Sequence, residues 1–306
     1  MTTNQLAEEM QRIQMEYAAN PTPENLAKMQ SEMMRIQQEM VAASMQEAQA
    51  AMAGTYGAGN PLAAEAMAGA QANAAAYGNM LNQAMNLASG DDEEAQKKFI
   101  EEHPPAPDTA KYLPIGAFLL NTNDEPGETF ALMGEKEEWR EAMSEGWDIN
   151  DAGAGREMLE SLLQGRHTQV FDGDYRKFKA GKPHKLEEDS VEAYNDMLET
   201  LGEYLPVLLP YAQSCPTILA WDLERAGYLA RIFAHLGWIP EKETFDWLKK
   251  IAAEIKKSFG CWEEYAVSIM VGRALHFESA DTVIGAACEL FGDKKPLLDS
   301  HPISAL

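Results

Sequence analysis

Between Leu219 and Phe277 the apolar side chains of this chain recur at helical spacing in three successive runs, a rhythm that neither a strand nor a loop can use. On a wheel of about 100° per residue, the first run places Leu223, Ala226, Leu229, Phe233 and Leu236 on one face. Asp222 and Arg225 fall inside that same arc, while Glu224, Arg231 and His235 project from the other side, where solvent is expected. The second run, Lys242 to Ser258, sets Phe245, Leu248, Ile251, Ala252 and Ile255 opposite Asp246, Lys250 and Lys257. In the third, Trp262, Tyr265, Ala266, Ile269, Arg273 and His276 share a face, and Val267, Val271 and Leu275 make the other side apolar too, so that helix should be nearly surrounded. The spacing therefore predicts a helical core from Trp221 to Phe277 with ionic groups set inside it.

An unpaired buried carboxylate or guanidinium costs several kcal/mol, so Asp222 and Arg225 should pair with each other or with nearby groups, and their i, i+3 spacing permits direct contact. Arg273 and His276 on the third helix, beside Trp262 and Tyr265, invite one shared polar cluster. Two arginines against one aspartate leave an excess positive charge, which another carboxylate, backbone carbonyls or an anionic ligand would balance. Arginine suits bidentate phosphate or carboxylate recognition, and the aromatics can stack on a guanidinium. A closed network fixing helix register and an open anion site both satisfy this pattern. His167, just after Gly165 at a helix end, is an additional candidate, either as a functional imidazole or as a cap.

The rest of the chain divides by composition. Residues 1–90 hold twelve of the seventeen methionines and no Phe or Trp. Leu6, Met10, Ile13 and Tyr17, then Met29, Met33, Ile36 and Met40 after the break at Asn20-Pro21-Thr22-Pro23, predict a Met/Ala/Gln-rich helical hairpin; an Ala-rich helix follows from about Leu62 to Ala88. Such methionine faces adapt to varied partners, so the segment is either a packed hairpin or a docking arm for another protein, and self-association through it is a further option. Residues 91–111 read as a short acidic helix and Pro-rich linker leading to a helical domain over 112–306. Within it, Tyr112 to Leu120 and Thr129 to Met133 suggest a small β-hairpin. A helix over Glu157 to Leu163 should stop at Gly165, Asp172 to Lys185 reads as a polar loop, and Ser190 to Leu201 and Tyr204 to Gln213 as helix, the second made irregular by Pro206 and Pro210. The fold class is mainly α.

A net charge of -24 opposes phosphate backbones and anionic lipid, so nucleic acid and membrane surfaces are poor partners. The charge is uneven: residues 211–306 hold thirteen acidic against ten basic residues and repel an anion least. Cys215, Cys261 and Cys288 are odd in number and widely spaced, which suggests reduced thiols and a cytoplasmic setting. No secretory signal pattern, membrane-span run, Gly-rich phosphate loop, nucleophile elbow, His-Glu-x-x-His or calcium loop is present, so no metal or cofactor is expected.

Taken in order, Ala220-Trp221-Asp222-Leu223-Glu224-Arg225, Gly237-Trp238-Ile239, Phe259-Gly260-Cys261-Trp262-Glu263-Glu264-Tyr265 and Gly272-Arg273 resemble the bacterial family called domain of unknown function 1266. Upstream, Gly146-Trp147-Asp148-Ile149 and Leu162-Leu163-Gln164-Gly165-Arg166-His167 look like its earlier motifs, with Arg166 inserted between the glycine and the histidine, so the resemblance spans about 112–277. It implies a fold and brings no settled activity. Two functions of different kinds follow from the residues. One is a protein-interaction module using the N-terminal helices, by analogy with domains acting in interbacterial antagonism or stress responses. The other is a binder of a small anionic ligand, or an enzyme on a phosphorylated substrate, built on the Arg225, Arg273 and Asp222 cluster with His167 or His276.

Overall fold

The computed structural model describes residues 91–292 and 294–306. The expected N-terminal hairpin, the Ala-rich helix after it and the docking arm they would form lie outside the described residues. In chain order the helices are α1 (Asp91–Glu102), α2 (Ala117–Asn121), α3 (Lys136–Trp147), α4 (Ala152–Leu163), α5 (Thr168–Lys179), α6 (Glu188–Tyr204), α7 (Leu209–Ser214), α8 (Leu219–Leu236), α9 (Glu241–Ser258), α10 (Trp262–Phe277), α11 (Asp281–Leu290) and α12 (Lys295–Ser300), with 3-10 turns at Ala110–Tyr112, Pro206–Leu208 and Ile303–Ala305.

Helix α8 is the axis of the fold. It packs on α10, α9, α4, α2, α3 and α5, while α10 is also covered by α6, α7 and α11. From Ala220 to Phe233 every residue of α8 is buried, and α10 is buried from Tyr265 to Leu275, as its two-sided apolar pattern requires. Small residues set the closeness of the packing. A Cβ at Gly272 would lie 2.3 Å from Trp221 Cβ, and one at Gly227 would lie 2.5 Å from Ile115 Cγ2, so α8 meets α10 and the 113–116 segment at distances only glycine allows. The helix ends follow the local sequence. Asp151 caps α4 by accepting from the Gly153 and Ala154 amides, and Gly165, at φ +80°, ends it with Gly165 N–H on Leu162 O (2.8 Å) and Arg166 N–H on Ser161 O (3.2 Å).

Three expectations are corrected. The β-hairpin over Tyr112 to Leu120 and Thr129 to Met133 is absent: the first stretch is a 3-10 turn and α2, the second an irregular chain. Its peptide groups have other partners than a neighbouring strand. Glu224 accepts from the Gly116 and Leu119 amides (3.0 and 3.1 Å), Glu125 accepts from the Met133 and Gly134 amides (2.6 and 2.7 Å), and Arg231 donates to the carbonyls of Leu113 (3.0 Å) and Thr129. For the same reason Glu224 and Arg231 do not face solvent; both are buried, and His235 is half-buried with Nε2 3.0 Å from Gly134 O. A wheel identifies a polar face, but here the irregular 113–134 segment lies over that face and supplies it with peptide groups. The polar loop from Asp172 is also replaced by helix as far as Lys179, because Phe171, Tyr175 and Phe178 recur at helical spacing and lean on the core.

Candidate functional site

The first turns of α5 and α8 hold each other. Asp222, in α8, receives the His167 amide (3.0 and 3.1 Å), the Thr168 amide (2.8 Å), the Thr168 hydroxyl (2.6 Å) and His167 Nδ1–H (2.6 Å). Asp172, in α5, receives the Ile218 amide (2.8 Å) and the Thr217 hydroxyl (2.6 Å) at the start of α8. Each helix thus supplies the carboxylate that satisfies the exposed amides of the other, where the helix dipole also favours negative charge. Burial pushes the Asp222 carboxyl up, but the hydrogen bond and charge of His167 and the two bonds from Thr168 outweigh it, and its pKa lies below the ordinary aspartate value.

The partners of His167 decide its tautomer. An ionised carboxylate can only accept, so Nδ1 carries the proton that goes to Asp222. The Arg225 NH1 atom lies 2.9 Å from His167 Nε2 and 3.3 Å from Nδ1. An atom that close to both ring nitrogens sits over the face of the imidazole and not in line with either lone pair. Its guanidinium also stands over the rings of Trp147 (4.4 Å), Trp221 (5.2 Å) and Phe277 (5.9 Å).

Arg273 shares two of those rings, with its guanidinium carbon 5.1 Å from the Phe277 centroid and 5.8 Å from that of Trp221. Burial, and then the charge of Arg225, lower its pKa to about 10, against an opposing pull from Asp281. His276 completes the group: its Nδ1 accepts from the Trp221 indole N–H (3.3 Å), and its ring centroid lies 4.3 Å from that of His167. Trp147, His276 and Phe277 are half-buried and border the solvent; Arg225, Arg273 and His167 lie beneath them.

Of the residues singled out in the sequence, the fold brings together Asp222, Arg225, Arg273, His276 and His167. It places Trp262 and Tyr265 elsewhere, at the opposite end of α10. Trp262 donates its indole N–H to His301 O (2.8 Å) and meets Tyr265 edge to face, while Tyr265 donates to the Glu224 carboxylate (3.0 Å). Tyr265 therefore belongs to a second buried centre, in which burial raises Glu224 to about pH 7 against the three bonds that favour its ionised form. Sequence reasoning did not name Thr168, Trp147 or Trp221 as members of the site. Only Trp147 and Trp221 carried any signal, through the motifs quoted above.

Residues 142–288 match the family model described as Protein of unknown function (DUF1266). That match agrees with the family that the sequence motifs suggest for this part of the chain. It begins later and ends later than the sequence resemblance suggested, leaving Glu125 and the 113–121 segment outside it and Asp222, Arg225, Arg273, His276 and His167 inside. No curated protein and no solved structure matches the chain. Among the described residues no group of three or more His, Cys, Asp or Glu side chains is arranged to hold a metal ion, and no helix is long and apolar enough to cross a membrane.

Proposed function

We propose that the DUF1266 segment binds a small anion, a phosphoryl or carboxylate group, against Arg225 and Arg273. The observation that carries this reading is the juxtaposition of two buried guanidiniums over the same pair of rings, Trp221 and Phe277. Like charges held together in a low-dielectric setting repel, and the charge of Arg225 is one cause of the lowered Arg273 pKa. An anion between the guanidiniums would relieve the repulsion and use their planar, multiply donating geometry. Trp147, His276 and Phe277, which border the cluster, are only half-buried. The geometry favours binding over catalysis: the Thr168 hydroxyl is spent on Asp222, and the imidazole face of His167 is covered by Arg225.

Titration calorimetry of the full chain with sulfate, inorganic phosphate, pyrophosphate and citrate tests this. At least one should bind, and Arg273→Lys, which keeps the charge but loses the planar fork, should weaken it by about tenfold. Absence of binding by all four, or an unchanged affinity in Arg273→Lys and Arg273→Ala proteins that melt like the parent, would overturn the proposal.

A further inference from the structure

The most exposed large apolar side chains among the described residues are Tyr204 (62%) and Val207 (60%), three positions apart where α6 gives way to α7. Single apolar residues are ordinary on a surface, but these two flank a cavity. Tyr211, one turn beyond Val207, has its hydroxyl pushed above the ordinary tyrosine value first by the Cys261 thiol and then by Glu263, which makes the three neighbours. Cys261 and Glu263 in turn line a cavity of about 220 Å³ between the start of α10 and the chain that follows α11. On the other margin, the Tyr204 hydroxyl is raised by its hydrogen bond to Glu203 and, more weakly, by Cys288, which lies one turn before Phe291 in the cavity wall.

Trp262, Leu298 and Ile303 are buried and form the floor of this cavity, while Cys261, Glu263 and Phe291 are half-buried at its rim. The wall is tied in place: Trp262 donates its indole N–H to His301 O (2.8 Å), and Lys256 Nζ donates to Ser304 O (2.8 Å) and Leu306 O (3.2 Å). Small-molecule ligands occupy pockets of about 300–1,000 Å³, so this smaller space suits a single side chain better than a cofactor. Pro206, Pro210 and Pro302 are exposed around it, and their fixed backbone lowers the ordering cost of any contact made there. The margin is acidic. Glu203, Glu263 and Glu264 belong to it, whereas Lys256 is engaged by carbonyls and Lys294 pairs with Glu289 (2.8 Å).

We propose that this surface docks a segment of another protein that carries one large apolar side chain between lysines or arginines. The apolar side chain fills the cavity over Trp262 and Ile303, Tyr204, Val207 and Tyr211 cover its flank, and the cations meet Glu203 and Glu263. A buried anchor in a pocket supplies most of the affinity of such a contact, and the complementary charge at the rim supplies its selectivity and rate.

Selection from a random-peptide display library on the immobilised full chain tests this. Peptides with a Leu, Phe or Trp flanked by Lys or Arg should be enriched, and synthetic copies should bind the full chain in fluorescence anisotropy. Replacing the anchor by Ala should weaken them at least about tenfold. Val207→Ser, at an exposed position, and Glu263→Lys should each weaken them about tenfold as well. Glu157→Lys makes the same change in net charge at an exposed position on α4 and should leave the affinity unaltered. Enrichment of no peptide, enrichment without basic residues, or affinities that ignore Val207→Ser and Glu263→Lys would overturn the proposal. Self-association of the chain that Val207→Ser abolishes would assign the surface to a second copy and overturn it too.

Discussion

Adding one methyl group at Gly272 should loosen the junction of α8 and α10. Its Cβ would stand 2.3 Å from Trp221 Cβ, 2.8 Å from Trp221 Cγ and 3.3 Å from Ile218 Cβ, where ordinary contact begins near 3.4 Å. The worst clash is between two Cβ atoms, each fixed to a helix backbone, so no rotamer change relieves it and the helices must part by about 1 Å. Overpacking of this kind costs about 1–3 kcal/mol, against about 1 kcal/mol gained because alanine is the better helix former. A net loss of up to about 2 kcal/mol should lower the melting temperature by up to about 8 °C for a domain of this size, read by circular dichroism or calorimetry. Because Trp221 carries both arginines on its ring, sulfate affinity should fall as well. Gly285 provides the control. It is exposed in the middle of α11, and a Cβ added there would meet nothing within 4 Å, so Gly285→Ala should stabilise by up to about 1 kcal/mol. A Gly272→Ala protein that melts at or above the parent would refute the reasoning.

Two further outcomes concern the buried carboxylates. Asp222→Asn leaves one acceptor oxygen where five donor contacts converged and should cost about 3 kcal/mol in urea denaturation. Since the folded pKa of Asp222 is depressed, its stabilisation is fully present above the unfolded value near 3.8 and is lost as pH falls through the lower folded value, so the variant and the parent should converge in acid. Glu224 behaves in the opposite sense: its folded pKa is raised from 4.5 to about 7, so the folded state holds the proton more tightly and loses about 3 kcal/mol as pH rises across that interval. The difference in unfolding free energy between the parent and Glu224→Gln should therefore shift in favour of the variant between about pH 5 and about pH 8, and a constant difference would contradict the assignment.

The sequence revealed the helices but not their surroundings. Periodicity located α8, α9 and α10, and the presence of Asp222 and Arg225 on the apolar arc of α8 marked them as buried, because a charge among core positions has no other reading. It could not show that Asp222 reaches across 55 residues to His167, since contacts at that separation depend on how α5 docks. The same limit hid Glu224 and Arg231. Their polarity fitted a solvated face equally well, and only the course of the 113–134 segment, which has no periodicity of its own, puts peptide groups against them. Trp262 was drawn into the cluster by sharing a face with Arg273. Eleven residues of helix separate them, about 16 Å along the axis, so a common face did not mean a common site.

The reciprocal capping of α5 and α8 bears on how the domain opens. Helix ends are normally where a helix frays first, and their amides exchange with solvent in small local openings. Here the amides of His167, Thr168 and Ile218 are tied to carboxylates on the opposing helix. Neither start can unwind while the other stays docked, so these three amides should exchange with deuterium together, at the rate at which the two helices separate. Ordinarily the weakest points of their helices, they become reporters of when the arginine site comes apart.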